Sequence, residues 1–143
     1  MKADSIIYIV SYQIAVKKEE DLKEKEFKAC ICDEAHALKS LNAKWTMTLT
    51  PYLCQMWRII IVSGTPIMNR PNEIYNLMHI IWPEIFRNFN TFAKWYCDPK
   101  RGKYGIEYKG ATHMWELNFM LTNYFMIRRL KKDVLKDLPD KWR

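Results

Sequence analysis

Apolar positions along this chain fall into short β-rich runs separated by stretches with helical spacing. Ile6-Ile7-Tyr8-Ile9-Val10 reads as a buried strand, ended by Ser11-Tyr12-Gln13. Residues 28–32 predict a second strand and residues 59–63 a third. From Ile14 to Glu26 charges alternate in sign. Glu19 and Lys23, and Asp21 and Lys25, stand four apart, which predicts a solvated helix and loop without chemistry. Between the second and third runs, Trp45, Leu49, Tyr52, Leu53 and Met56 recur at roughly helical intervals, with Pro51 placed to break or kink the element. Strand, helix, strand, helix, strand is the order of an α/β fold, a parallel sheet flanked by helices.

After Gly64-Thr65-Pro66, Pro71 opens a helix whose Ile74, Leu77, Met78 and Ile81 form one apolar stripe, and Pro83 closes it. Residues 84–111 lack clear periodicity and hold three of the four glycines, which predicts an irregular excursion after the third strand. Thr112 or His113 is placed to cap a last helix lined by Leu117, Met120, Leu121, Tyr124 and Phe125. Three stretches result: the strands and their helices over 1–83, a helical or irregular protrusion over 84–127 and a basic segment over 128–143.

At 143 residues and 49% hydrophobic, the chain suffices for one compact domain. Its net charge of +7 is unevenly placed. Residues 1–63 carry nine basic and eight acidic side chains, whereas residues 64–143 carry fourteen and eight. A surface for a polyanion, if there is one, therefore belongs to the second half; a solvated basic surface is the plainer reading of the same excess. The cysteines at 30, 32, 54 and 97 show neither Cys-x-x-Cys nor zinc-finger spacing, and Cys30 and Cys32 alternate within a strand as small buried hydrophobes. Reduced thiols fit an intracellular compartment. No apolar run is long enough to span a membrane.

The chemistry concentrates in Asp33-Glu34-Ala35-His36, directly after the second apolar run. A strand that ends in adjacent carboxylates puts both at the carboxyl edge of a sheet, where open α/β folds bind ligands. One acid there can hold a metal's water shell and the other can orient an attacking water. A solvated turn is the plain reading of the same residues taken alone. Ser63-Gly64-Thr65-Pro66 follows the next strand, and Arg128-Arg129-Leu130-Lys131-Lys132-Asp133-Val134 lies near the end.

In that order, the three segments resemble the first motor lobe of Swi/Snf-type helicase-like ATPases. Asn69-Arg70-Pro71, Tyr96-Cys97-Asp98 and the Arg-Arg-Leu-Lys-Lys-Asp-Val-Leu segment look most like the annealing-helicase branch. The resemblance implies a partial RecA-like lobe that uses ATP and Mg2+. Asp33 would help hold magnesium through water, Glu34 would polarise the water that attacks the γ-phosphate, and His36 would couple the nucleotide site to neighbouring motifs. It further implies coupling roles for Ser63, Gly64 and Thr65, and inter-lobe or DNA-backbone roles for Arg128, Arg129 and Lys131. A tight turn and a solvated helix end are the plain readings of those two segments. In the excursion, Arg87, Lys94, Lys100, Arg101, Lys103 and Lys109 interleave with Trp95, Tyr96, Tyr104 and Tyr108, a pattern compatible with nucleic-acid contact and equally with ordinary packing.

No Gly-x-x-x-x-Gly-Lys-Ser/Thr loop occurs in these residues, and nothing resembles the second motor lobe. The expectation is therefore a fragment or a degenerate copy that hydrolyses little ATP by itself. The whole protein is expected to be a nuclear, ATP-driven motor on double-stranded or forked DNA, with chromatin or replication-fork proteins as partners and no membrane association. The other reading is a non-catalytic DNA-binding or protein-interaction remnant of such a lobe.

Overall fold

The computed structural model describes residues 7–64 and 70–129. Two short helices, α1 (Tyr12–Lys17) and α2 (Glu19–Glu24), precede strand β1 (Ala29–Cys32). A 3-10 turn (Ala35–Leu38) and α3 (Lys44–Leu53) lead to β2 (Arg58–Ile61). Then come α4 (Pro71–Ile81), α5 (Phe89–Tyr96) and the hairpin β3 (Lys100–Gly102) and β4 (Gly105–Glu107). Among the described residues, 113–129 belong to a second compact unit, in which α6 (Met114–Met120) runs into a π-helical turn (Leu121–Phe125).

The fold is α/β, with β1 and β2 parallel and in register from Ala29 opposite Arg58 to Cys32 opposite Ile61. The expected strand at Ile6–Val10 is not formed over its described residues. Ile7 and Ile9 are 77% and 94% exposed, and no strand among the described residues pairs with them. β-propensity alone does not make a strand without a neighbouring strand to pair with.

One face of the β1–β2 pair builds the core. Cys30, Cys32, Ile59 and Ile61 pack with Ala15, Leu22, Leu38, Leu49, Leu53, Leu77 and Ile80. The opposite face, Ile31, Ile60 and Val62, is exposed. The charged segment before β1 is thus more than solvated helix, because Ala15 and Leu22 plug the core. Its Glu19–Lys23 pair forms at 2.6 Å, but Asp21 pairs with Lys18 at 3.1 Å rather than with Lys25. Pro51 does not break α3, which continues to Leu53.

In α4 the buried arc is wider than one stripe. Tyr75, Asn76 and Ile80 are buried with Ile74, Leu77 and Met78, whereas Ile81, expected inside, is 37% exposed. The helix meets α3, α5 and the 3-10 turn, so no single line of residues accounts for its buried side. Asn76 is the polar anchor of this contact: its Nδ2 donates to the Leu38 carbonyl at 2.7 Å and to Thr50 Oγ1 at 3.2 Å.

The segment expected to be irregular contains α5 and the hairpin. Asn88 Oδ1 caps α5 by accepting from the amides of Asn90 and Thr91, and Phe92, Ala93 and Tyr96 turn inward. Phe92 packs against Tyr75, Phe86 and Tyr96, which fixes α5 on α4. Neither expected cap of α6 acts as one. Thr112 Oγ1 donates to the Trp95 carbonyl at 2.6 Å, and His113 enters the helix at φ 49° with no side-chain cap bond. Of the stripe expected there, Leu117 and Leu121 are buried and Tyr124 is 70% exposed.

Candidate functional site at the carboxyl edge of the sheet

β1 ends at Cys32, so Asp33 and Glu34 are the first residues beyond the sheet's carboxyl edge. The ladder does not stop there. Val62 N donates to the Cys32 carbonyl at 2.8 Å and Ala35 N donates to the Val62 carbonyl at 2.9 Å. The acidic pair is thereby a two-residue arch over Val62, with Ser63 and Gly64 next along the chain. Ala35 is completely buried beneath it, as is Leu38 one turn later, and the Asn76 bond to Leu38 ties this base to α4.

The arch forces Glu34 into the left-handed region at φ 47°, a conformation of modest cost for a residue without a β-branch. Asp33 Oδ1 accepts the Glu34 amide at 2.9 Å, so one carboxylate oxygen stabilises the arch. Glu34 Oε2 lies 3.1 Å from His36 Nδ1, and both side chains are exposed. Among the described residues, Asp33 Oδ2 and Glu34 Oε1 accept no protein hydrogen bond. Two hard oxygens facing solvent suit the water shell of a small divalent cation, which keeps most of its waters and takes one or two carboxylates. Among the described residues no cluster of three or more His, Cys, Asp or Glu side chains is suited to a metal ion.

Sequence reasoning missed Tyr12. Its hydroxyl donates to the Asp33 carbonyl at 2.8 Å, reaching the arch from α1, and its ring stacks on Trp45 of α3. Burial pushes the Tyr12 phenol up, with the neighbouring Cys32 and Cys30 thiols adding to the effect, so it stays a donor throughout the physiological range. A single tyrosine at the start of a charge-rich segment gives no periodic signal to find it by. The two strand thiols do share a face, with Sγ atoms 3.8 Å apart. A hydrogen bond from Cys32 pulls the Cys30 thiol down from its ordinary value, while that same contact and burial push Cys32 up.

The structure brings Asp33, Glu34 and His36 together and sets them beside Val62, Ser63 and Gly64. Thr65 lies outside the described residues, as does Lys131. Arg128 and Arg129 are exposed in the second unit. In the basic-aromatic segment, Lys100 pairs with Asp98 and Lys109 with Glu107, each at 2.9 Å. Tyr96 is buried and Tyr108 packs on Phe89, which makes those two rings structural. Tyr104 and Trp95 are exposed.

The sequence matches the SNF2-related domain over residues 1–143. It is 41% identical over 137 residues to the SWI/SNF-related matrix-associated actin-dependent regulator of chromatin subfamily A-like protein 1 homolog of Caenorhabditis elegans, covering 96% of this chain and 20% of that protein. The protein of that name from Bos taurus is 39% identical over 138 residues, covering 96% of this chain and 15% of the relative. The human DNA annealing helicase and endonuclease ZRANB3 is 36% identical over 126 residues, covering 85% and 12%. The chain thus spans a fifth or less of the length of these relatives. With its parallel strands and the acidic arch at their carboxyl ends, the chain belongs to the SNF2-related domain family.

Proposed function

We propose that this chain is part of an ATP-dependent DNA translocase of the annealing-helicase type, which couples Mg-ATP hydrolysis to movement on, or rewinding of, double-stranded DNA. The observation that carries this reading is the arch: two adjacent carboxylates at the end of β1, tied by the Ala35–Val62 bond to the segment that opens with Ser63 and Gly64. Family membership and relatives named as regulators of chromatin and as an annealing helicase support it.

In this reading Asp33 holds the metal's water shell with the oxygen left over from its bond to the Glu34 amide. Magnesium, when bound with the nucleotide, neutralises charge at the phosphates. Glu34 orients the attacking water, with His36 Nδ1 at 3.1 Å restraining one of its carboxylate oxygens. Ser63, Gly64 and Thr65 pass changes at the arch to the DNA side, and Arg128, Arg129 and Lys131 serve the second lobe or the DNA backbone. The organisation we assign is the C-terminal part of the first lobe over 1–83, a protrusion over 84–127 and an inter-lobe connecting segment over 128–143. The site of action is the nucleus, with chromatin or replication-fork proteins as partners. These residues alone hydrolyse ATP negligibly, because an arginine supplied by a second lobe is worth roughly a thousand-fold or more in rate.

The test is Glu34→Gln in the full-length protein. DNA-stimulated ATP turnover falls by roughly 100-fold to 10,000-fold while nucleotide affinity holds. Unchanged turnover removes Glu34 from the chemistry, and failure of duplex DNA to stimulate the unaltered protein removes the DNA motor.

A further inference from the structure

The hairpin β3–β4 is exposed at every position except the half-buried Gly102, and its turn carries Lys103 and Tyr104. Gly102 pairs with Gly105, and Gly105 sits at φ +135°, which keeps the turn to two residues. Tyr104 is 93% exposed and Ile106 62%. Lys103 Nζ lies 5.4 Å from the centre of the Tyr104 ring. Arg101 stands opposite Ile106 in the ladder and, unlike Lys100 and Lys109, forms no ion pair among the described residues.

The base of this hairpin is held firmly. Gly110 N donates to the Cys97 carbonyl at 3.0 Å, Thr112 N to the Tyr96 carbonyl at 2.9 Å, and Tyr108 packs edge-on against Phe89 at 5.0 Å. A largely exposed aromatic ring on an anchored, narrow hairpin, beside two cations that form no ion pair among the described residues, fits a π-face with phosphates around it.

Resting on the DNA-motor reading above, we infer that the Lys103–Tyr104 tip stacks on the base-pair face exposed at the branch point of forked DNA, with Arg101 and Lys103 on the adjoining phosphates. The choice of a branch follows from stacking. Inside continuous duplex every base-pair face is already covered, and opening a step costs about as much as one base–aromatic stack returns. A branch point presents an uncovered face without that cost, and its flanking strands supply charge on both sides of the tip.

The experiment uses the full-length protein and its Tyr104→Ala and Tyr104→Phe variants. ATPase stimulation is measured with linear duplex, forked DNA and single strand, and binding with 2-aminopurine placed at the branch. The expected result is that Y104A loses roughly ten-fold in apparent affinity for the fork, as befits one lost stack, with duplex stimulation unchanged. Y104F retains the preference, and the 2-aminopurine signal change disappears only in Y104A. An unchanged fork-to-duplex ratio in Y104A overturns the inference, as does an equal loss on single strand. A lowered melting temperature without a change in fork preference also overturns it, since Tyr104 would then be packed on another part of the protein. Absence of any DNA stimulation in the unaltered protein is a separate result, which overturns the motor reading instead.

Discussion

The acidic arch and the basic hairpin are both exposed turns that present charge, yet they are held in different ways. The arch depends on partners far away in sequence: Val62 of the neighbouring strand's extension, Tyr12 of α1, and Asn76 of α4 beneath Leu38. The hairpin depends on its own ladder and on residues next to it, from Phe89 to Thr112. Long-range bracing fixes where two carboxylates sit relative to a sheet edge, which positional chemistry demands. Local bracing suffices to hold a projecting tip stiff at its base.

Removing Asn76 is the harshest way to break this contrast. Asn76→Ala orphans the buried Leu38 carbonyl and leaves a void between α4, α3 and the 3-10 turn, and should lower stability by about 3 kcal/mol. Chemical denaturation of the full-length protein reads the loss. Hydrogen exchange should rise at residues 33–38 and stay level at 100–107. Gly110→Ala reverses the pattern. A Cβ there would lie 2.5 Å from Asp98 Cβ and 2.9 Å from the Cys97 carbonyl, so the cost is about 2 kcal/mol, with exchange rising across 97–110 and the arch unaffected.

Tyr12→Phe has the smallest effect and the most specific one. Loss of the bond to the Asp33 carbonyl costs about 1 kcal/mol near neutrality. Because the folded phenol titrates above its unfolded value, its contribution is complete below about pH 10 and is lost as the pH climbs beyond that. The alkaline limb of a stability–pH curve should therefore be shallower in Y12F than in the unaltered protein, and identical limbs would detach Tyr12 from the arch.

The position of the acidic pair at a strand end is legible in the order of residues, because the carboxylates directly follow the apolar run that forms β1. The arch itself is not, since its geometry comes from Val62 and Tyr12, which meet Ala35 and Asp33 only after folding. Ile6–Val10 misled for a related reason: strand propensity describes what a residue tolerates, and pairing decides what it does. In α4 the helical stripe places Ile81 inward where the structure buries Ile80, as three packing neighbours cover more than one line of side chains. α5 is not legible in the sequence even though Asn88 is a strong cap, because Phe89, Phe92, Ala93 and Tyr96 span only two turns, too short for periodicity to stand out.

The uncovered side of the β1–β2 pair has a practical consequence at the bench. Parallel sheets are ordinarily sheathed on both sides, and Ile31, Ile60 and Val62 offer an oily plane to whatever is nearest. Purified at millimolar strength without the rest of its polypeptide, this stretch should stick to itself through that plane. Its sedimentation coefficient should climb with concentration and fall back when a mild detergent is added.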